Sequence, residues 1–135
     1  MLGVELPEPT INAASLECNF TNEAGFGGTT MFRKNIVGLW IVQECRRAWS
    51  AEGKDYDYET LTSMAGNAPP LTSLIRPDDP RFAKAGQMPE KIVAYCKETG
   101  QAVLTSAQGV VRIALESLAL LYAETLVTCA SVTGR

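Results

Sequence analysis

The apolar pattern of the chain changes period at Asn35, and that change divides what the sequence can become. Before it, short apolar runs are interrupted by Pro7 and Pro9 and by three glycines within four positions, Gly25, Gly27 and Gly28. Proline removes a backbone donor and clashes with a helical turn, so extended structure is expected there. The reading is a short strand over residues 4–6, then runs 18–21 and 29–32 flanking residues 22–28 as a hairpin, with the glycines supplying positive φ angles. After Asn35, residues Val37, Ile41, Cys45 and Ala48 fall on one helical stripe with Trp40 and Trp49 beside it, which predicts a helix over residues 35–51.

Three further helices follow from the same logic. Asp57 can cap a short one carrying Leu61, Met64 and Ala65 and stopped by Gly66. Residues 67–87 hold Pro69, Pro70, Pro77 and Pro80, so they are expected to be loop. Another helix opens at Met88 with Pro89 in its first turn, shows Ile92, Val93 and Cys96 on one side, and meets Gly100 as a stop. A last one starts at Thr105, where Thr105 and Gln108 have the spacing of a capping box, and carries Val111, Leu115, Leu118 and Tyr122 to Gly134. The expected class is α+β and mostly helical: a β-hairpin followed by about four helices. A two-stranded ribbon is marginal alone, so the residues read as a piece of something larger.

Composition narrows the function. With 135 residues, 46% of them apolar, the chain can bury one core. A net charge of -3 and no basic run longer than Arg46-Arg47 argue against a nucleic-acid partner. The longest strongly apolar stretch, residues 36–42, is far below the roughly 20 residues of a membrane span. Cys18, Cys45, Cys96 and Cys129 form no C-x-x-C, and with no histidine in the chain no zinc shell can be completed. With no secretory-type leader, buried reduced thiols in the cytoplasm are expected. The lack of histidine also leaves any acid–base work to carboxylates.

Three motifs admit more than one reading. Gly25-Phe26-Gly27-Gly28 lacks both phosphate-loop spacings and precedes a strand, so a hairpin turn is the better reading. Asp78-Asp79 sits between Pro77 and Pro80, where aspartate stabilises a turn more readily than it pairs around a metal. Asn35 and Gln43 bracket an apolar segment. On a continuous helix, eight residues span about 12 Å and leave the two side chains within roughly 80° of each other, so they could line one cleft. On the residues alone, Asn35 as N-cap and Gln43 as the start of a solvent face is favoured. Gly38, between them, favours close approach by a backbone or a ligand.

Taken in order, these strings carry a resemblance: Asn19-Phe20-Thr21-Asn22-Glu23-Ala24-Gly25, the run from Lys34 to Gln43, Pro77-Asp78-Asp79-Pro80-Arg81-Phe82, Met88-Pro89, Tyr95 to Gln101, and Glu116 to Tyr122. The chain resembles, along nearly its whole length, the rhamnulokinases of the FGGY carbohydrate kinase family. The resemblance implies part of the second, C-terminal domain of RNase H-like, actin-like ATPase fold. It implies a parent enzyme that moves the γ-phosphoryl group of ATP, with Mg2+, to the 1-hydroxyl of L-rhamnulose. It also implies Asn35 as a sugar contact and Gln43 as an ATP contact, reversing the reading from the residues alone. The family's Gly-Thr-Trp-Ser nucleotide segment is expected before Leu2, its catalytic aspartate earlier still, and its Gly-rich adenosine loop after Arg135. No catalytic or metal-binding residue is therefore expected in this piece, and by itself it is expected to be inactive. Ala24 stands where the family has a second glycine. Other readings are another kinase of the family, such as a fuculokinase or xylulokinase, or a non-catalytic helical interaction module.

Overall fold

A computed structural model describes all residues, 1–135, as two units: Met1–Ile36 with Leu120–Arg135, and Val37–Ala119. In the first unit the β-forming runs pair as a three-stranded antiparallel sheet. Strand β1 (Leu2–Leu6) pairs with β3 (Thr30–Lys34), which pairs with β2 (Thr21–Ala24), giving the order β1-β3-β2. The hairpin was legible, but its strands are not bounded as the runs 18–21 and 29–32 suggested. Residues 22–24 belong to the strand, and the reversal occupies only the short segment that includes the 3-10 turn Phe26–Gly28. Gly27 and Gly28 take φ of 64° and 85° there, the left-handed values for which glycine was expected.

Phe32 explains the register. It lies on the central strand opposite Val4 and Asn22 and is fully buried, stacked on Phe20 with ring centroids 4.7 Å apart. A slip of one residue would turn it to the opposite face. Leu6, Phe20, Phe32 and Cys129 form the unit's core, the last contributed by the C-terminal part of the long helix α5 (Ala107–Thr133). Gly3 is required on β1 because a Cβ there would collide with the Phe32 carbonyl. A short helix α1 (Ala13–Glu17) stands where extended chain was expected. Its capping box has the Asn12 side chain accepting from the Ser15 N–H at 2.7 Å, while the Asn12 N–H donates to Ser15 Oγ at 3.1 Å.

The second unit holds helices α2 (Trp40–Ala51), α3 (Tyr58–Gly66) and α4 (Met88–Glu98) and the first half of α5. Ile41, Cys45, Phe82, Met88, Ile92 and Ile113 are among the buried residues of its core. Two boundaries correct the sequence reading. α2 begins at Trp40, not Asn35, and its N-cap is Leu39 with no side-chain cap bond, so Asn35 is not the cap. α5 begins at Ala107, where Ser106 Oγ accepts from the Gly109 N–H at 3.2 Å; the expected box at Thr105 is replaced by this bond. The stops at Gly66, Gly100 and Gly134 and the cap at Asp57 fall where expected.

Residues 67–87 hold no long helix, only the 3-10 turn Pro80–Ala83, as their prolines require. Asp79 caps that turn, accepting from the Arg81 N–H at 3.0 Å, and this bond, first among the causes, lowers its pKa. The turn reading of Asp78-Asp79 therefore fits Asp79. Elsewhere the segment's backbone is served by side chains. The Leu71 N–H donates to Glu116 at 2.9 Å, that of Leu74 to Gln101 at 2.7 Å, and that of Ile75 to Ser117 at 2.9 Å.

Candidate functional site

The site is written on α2. On one side Ile41, Val42, Cys45 and Trp49 are buried, and Trp40 Nε1 donates to the Phe82 carbonyl at 3.0 Å, so the helix is fixed by its apolar face. On the other side Gln43, Arg46, Arg47 and Ser50 stand at i, i+3, i+4 and i+7, the spacing of a single helical stripe. That stripe faces the segment after the helix, which turns at Gly53 with φ of 81°. Together they enclose an open cleft of about 750 Å³ lined by the four stripe residues and by Asp55, Tyr56, Asp57 and Tyr58.

The facing wall is fixed by specific bonds. Ser50 Oγ donates to Asp55 Oδ1 at 2.5 Å. Arg46 Nε donates to the Tyr56 carbonyl at 2.7 Å, and its guanidinium lies 4.1 Å from the centroid of the Tyr58 ring. The Tyr56 ring meets Trp49 edge to face at 5.6 Å, tying the wall to the core. Asp57 caps α3 by accepting from the Thr60 N–H at 2.7 Å; hydrogen bonding from Thr60 is the main cause that lowers its pKa.

Glu44, next to Gln43, is a buried charge. Its side chain is 1% exposed, Oε1 lies 2.6 Å from Arg47 Nη1, and Oε2 accepts from the Gly86 N–H at 3.0 Å. Beside it Cys45 is fully buried, and burial first, then the charges of Glu90 and Glu44, pushes its thiol up to about 12.

Gln43 is exposed on this cleft. Asn35 lies elsewhere, exposed in the irregular stretch after β3 and in the other unit. The helical phase that set the two on one face does not apply, because the chain from Asn35 to Gly38 is not helical. Gly38 meets no neighbour: a Cβ there would stand in open space. Sequence reasoning missed Glu44, Arg46, Arg47 and Ser50. The polar stripe was available from their spacing, whereas the burial of Glu44 depends on Gly86, 42 residues away.

A family model, FGGY family of carbohydrate kinases, C-terminal domain, matches residues 1–134. The chain belongs to the FGGY carbohydrate kinases. Its fold is accordingly the α+β, actin-like architecture of that C-terminal domain. The FGGY chain is 39% identical over 135 residues to a rhamnulokinase of Bacteroides thetaiotaomicron. It is 37% identical over 134 residues to one of Enterococcus faecalis, and 32% identical over 135 residues to one of Bacillus subtilis. These alignments cover 99–100% of this FGGY chain but only 26–27% of each relative, so the chain spans about a quarter of their length.

Proposed function

We propose that this chain is one wall of the site of an ATP-dependent sugar kinase that converts L-rhamnulose to L-rhamnulose 1-phosphate. The observation that carries the reading is the polar stripe of α2, where exposed Gln43 opens onto a ready-made cleft, in a chain similar throughout to proteins named rhamnulokinase. Gln43 contacts ATP and Asn35 contacts the sugar. In the transfer, the 1-hydroxyl oxygen of the ketose bonds to the γ-phosphorus as the bond from that phosphorus to the β,γ-bridging oxygen breaks. The hydroxyl proton passes to a carboxylate outside this chain, the family's aspartate.

Phosphoryl transfer depends chiefly on positioning and charge neutralisation, so residues that hold the two substrates matter even where none reacts. The described residues gather no group of three or more His, Cys, Asp or Glu side chains fit to hold a metal ion. Mg2+ belongs to this reading as the companion of the ATP substrate. A cytoplasmic setting is part of this reading, with the four cysteines as free thiols in its support; no helix is long and apolar enough to cross a membrane.

A coupled assay of the full-length kinase and of the 135-residue piece, with ATP, Mg2+ and L-rhamnulose, tests the reading. Activity in the full-length protein alone is expected. Faster turnover of L-fuculose or D-xylulose would move the assignment to another sugar of the family, and no turnover of any of the three would point to a non-catalytic module.

A further inference from the structure

We propose that Arg47 is a nucleotide-binding residue that seats the base of ATP, and that buried Glu44 is the positioning residue that holds its guanidinium; this rests on reading Gln43 as a nucleotide contact. Arg47 stands four residues after Gln43, one helical turn along, and both line the same cleft. Its side chain is 70% exposed, and Nη1 lies 2.6 Å from Oε1 of a carboxylate that is 1% exposed, an ion pair in which that oxygen accepts no hydrogen bond.

Stability does not account for that arrangement. Removing a carboxylate from water is costly, and an ion pair with an exposed partner returns little. Nor is the carboxylate free to follow a mobile arginine. Its second oxygen is fixed by the Gly86 N–H, in a stretch where Gly86 and Gln87 take φ of 84° and 53°. What the burial does achieve is a fixed negative charge that draws the guanidinium toward it while most of the arginine side chain stays open to a ligand.

Charge decides which part of the nucleotide fits. Arg46 and Arg47 in the lining are matched by Asp55 and Asp57, so the cleft does not concentrate the positive charge that a triphosphate needs. A planar guanidinium beside an amide suits a flat heterocycle instead: the cation stacks on the ring and the amide bonds to its edge. Arg46 is already committed, its Nε to the Tyr56 carbonyl and its plane to Tyr58. Arg47 is the residue left to do this.

The test uses the full-length kinase, with inhibition by adenosine, which has the base and no phosphate, and by tripolyphosphate, which has the reverse. Arg47→Ala is expected to raise both the ATP KM and the adenosine inhibition constant about tenfold, the scale of a lost cation–ring contact. The sugar KM and tripolyphosphate inhibition should stay as they are. Arg47→Lys, which keeps charge and loses the plane, should not restore binding. Glu44→Gln should raise the ATP KM with kcat and the sugar KM retained, whereas a merely structural role would move all three. Rescue by lysine, or weakened tripolyphosphate inhibition, would overturn the assignment to the base. An unchanged ATP KM in Arg47→Ala would overturn the role of Arg47 alone, and a wild type that uses no ATP would overturn this inference together with the reading beneath it.

Discussion

Gln43 and Cys45 stand two positions apart on α2 and meet opposite environments, one exposed on the cleft and the other fully buried. Each yields a prediction. In the full-length kinase, Gln43→Ala should raise the ATP KM about tenfold and leave the sugar KM in place, the loss expected for one hydrogen bond of roughly 1.4 kcal/mol. Asn35→Ala should do the converse, costing about 1–3 kcal/mol in sugar binding; an unchanged specificity constant for L-rhamnulose would refute it. Cys45, its thiol raised to about 12 by burial and flanking carboxylates, should resist alkylation, and half-exposed Cys18 should react first. Peptide mass analysis after a brief iodoacetamide pulse reads the order, and early modification of Cys45 would refute it. Asn35 and Gln43 were singled out because their residue types sit in a recognisable string. Glu44 was not, since nothing in Gln43-Glu44-Cys45 says that Gly86 will cover it.

At the scale of elements, the apolar period proved a record of burial more than of backbone. Val37 packs against the same core as Ile41, so the stripe continues toward Asn35 although the helix does not. Strand pairing wins that stretch: β3 runs on to Lys34 because Leu2 is there to pair with it, and the chain must then leave the sheet before it can coil. α1 was invisible for the opposite reason, five residues being too few to show a period. Of the N-caps expected from sequence, those at Asn35 and Thr105 failed and that at Asp57 held, so Asp57 is the one to test. Asp57→Ala should lower the melting temperature and Asp57→Asn, which keeps an acceptor, should largely retain it. Because hydrogen bonding from Thr60 lowers the pKa of Asp57, the charge-dependent part of its stabilisation is complete above the unfolded carboxylate pKa and is lost as pH falls through the lower, folded one. The gap between wild type and Asp57→Ala should therefore narrow in acid; a constant gap down to pH 2 would count against the cap.

For the molecule as a whole, the strands and the longer helices were legible and their partners were not. β1 read as a strand from its own residues, but its pairing with β3 spans nearly 30 positions and leaves no local mark. The division into two units is equally silent in sequence, since it falls inside the single helix α5, between Ala119 and Leu120. What could be read at this scale came from ordered strings, each weak alone, and the family match over residues 1–134 agrees with them.

The way residues 67–87 are held has a consequence for inheritance. A backbone ladder survives exchange of its side chains, because every residue brings the same donor and acceptor. Here the donors of Leu71, Leu74 and Ile75 are answered by Glu116, Gln101 and Ser117, 45, 27 and 42 residues downstream. The instructions for this loop are thus filed in another part of the chain, and Ser117→Ala alone should cost about 1–3 kcal/mol by stranding a buried donor. Recombination that moved the loop into a relative without those three residues would separate a message from its key. A chimera carrying all three should melt cooperatively near the wild-type temperature, and the same chimera without them should not.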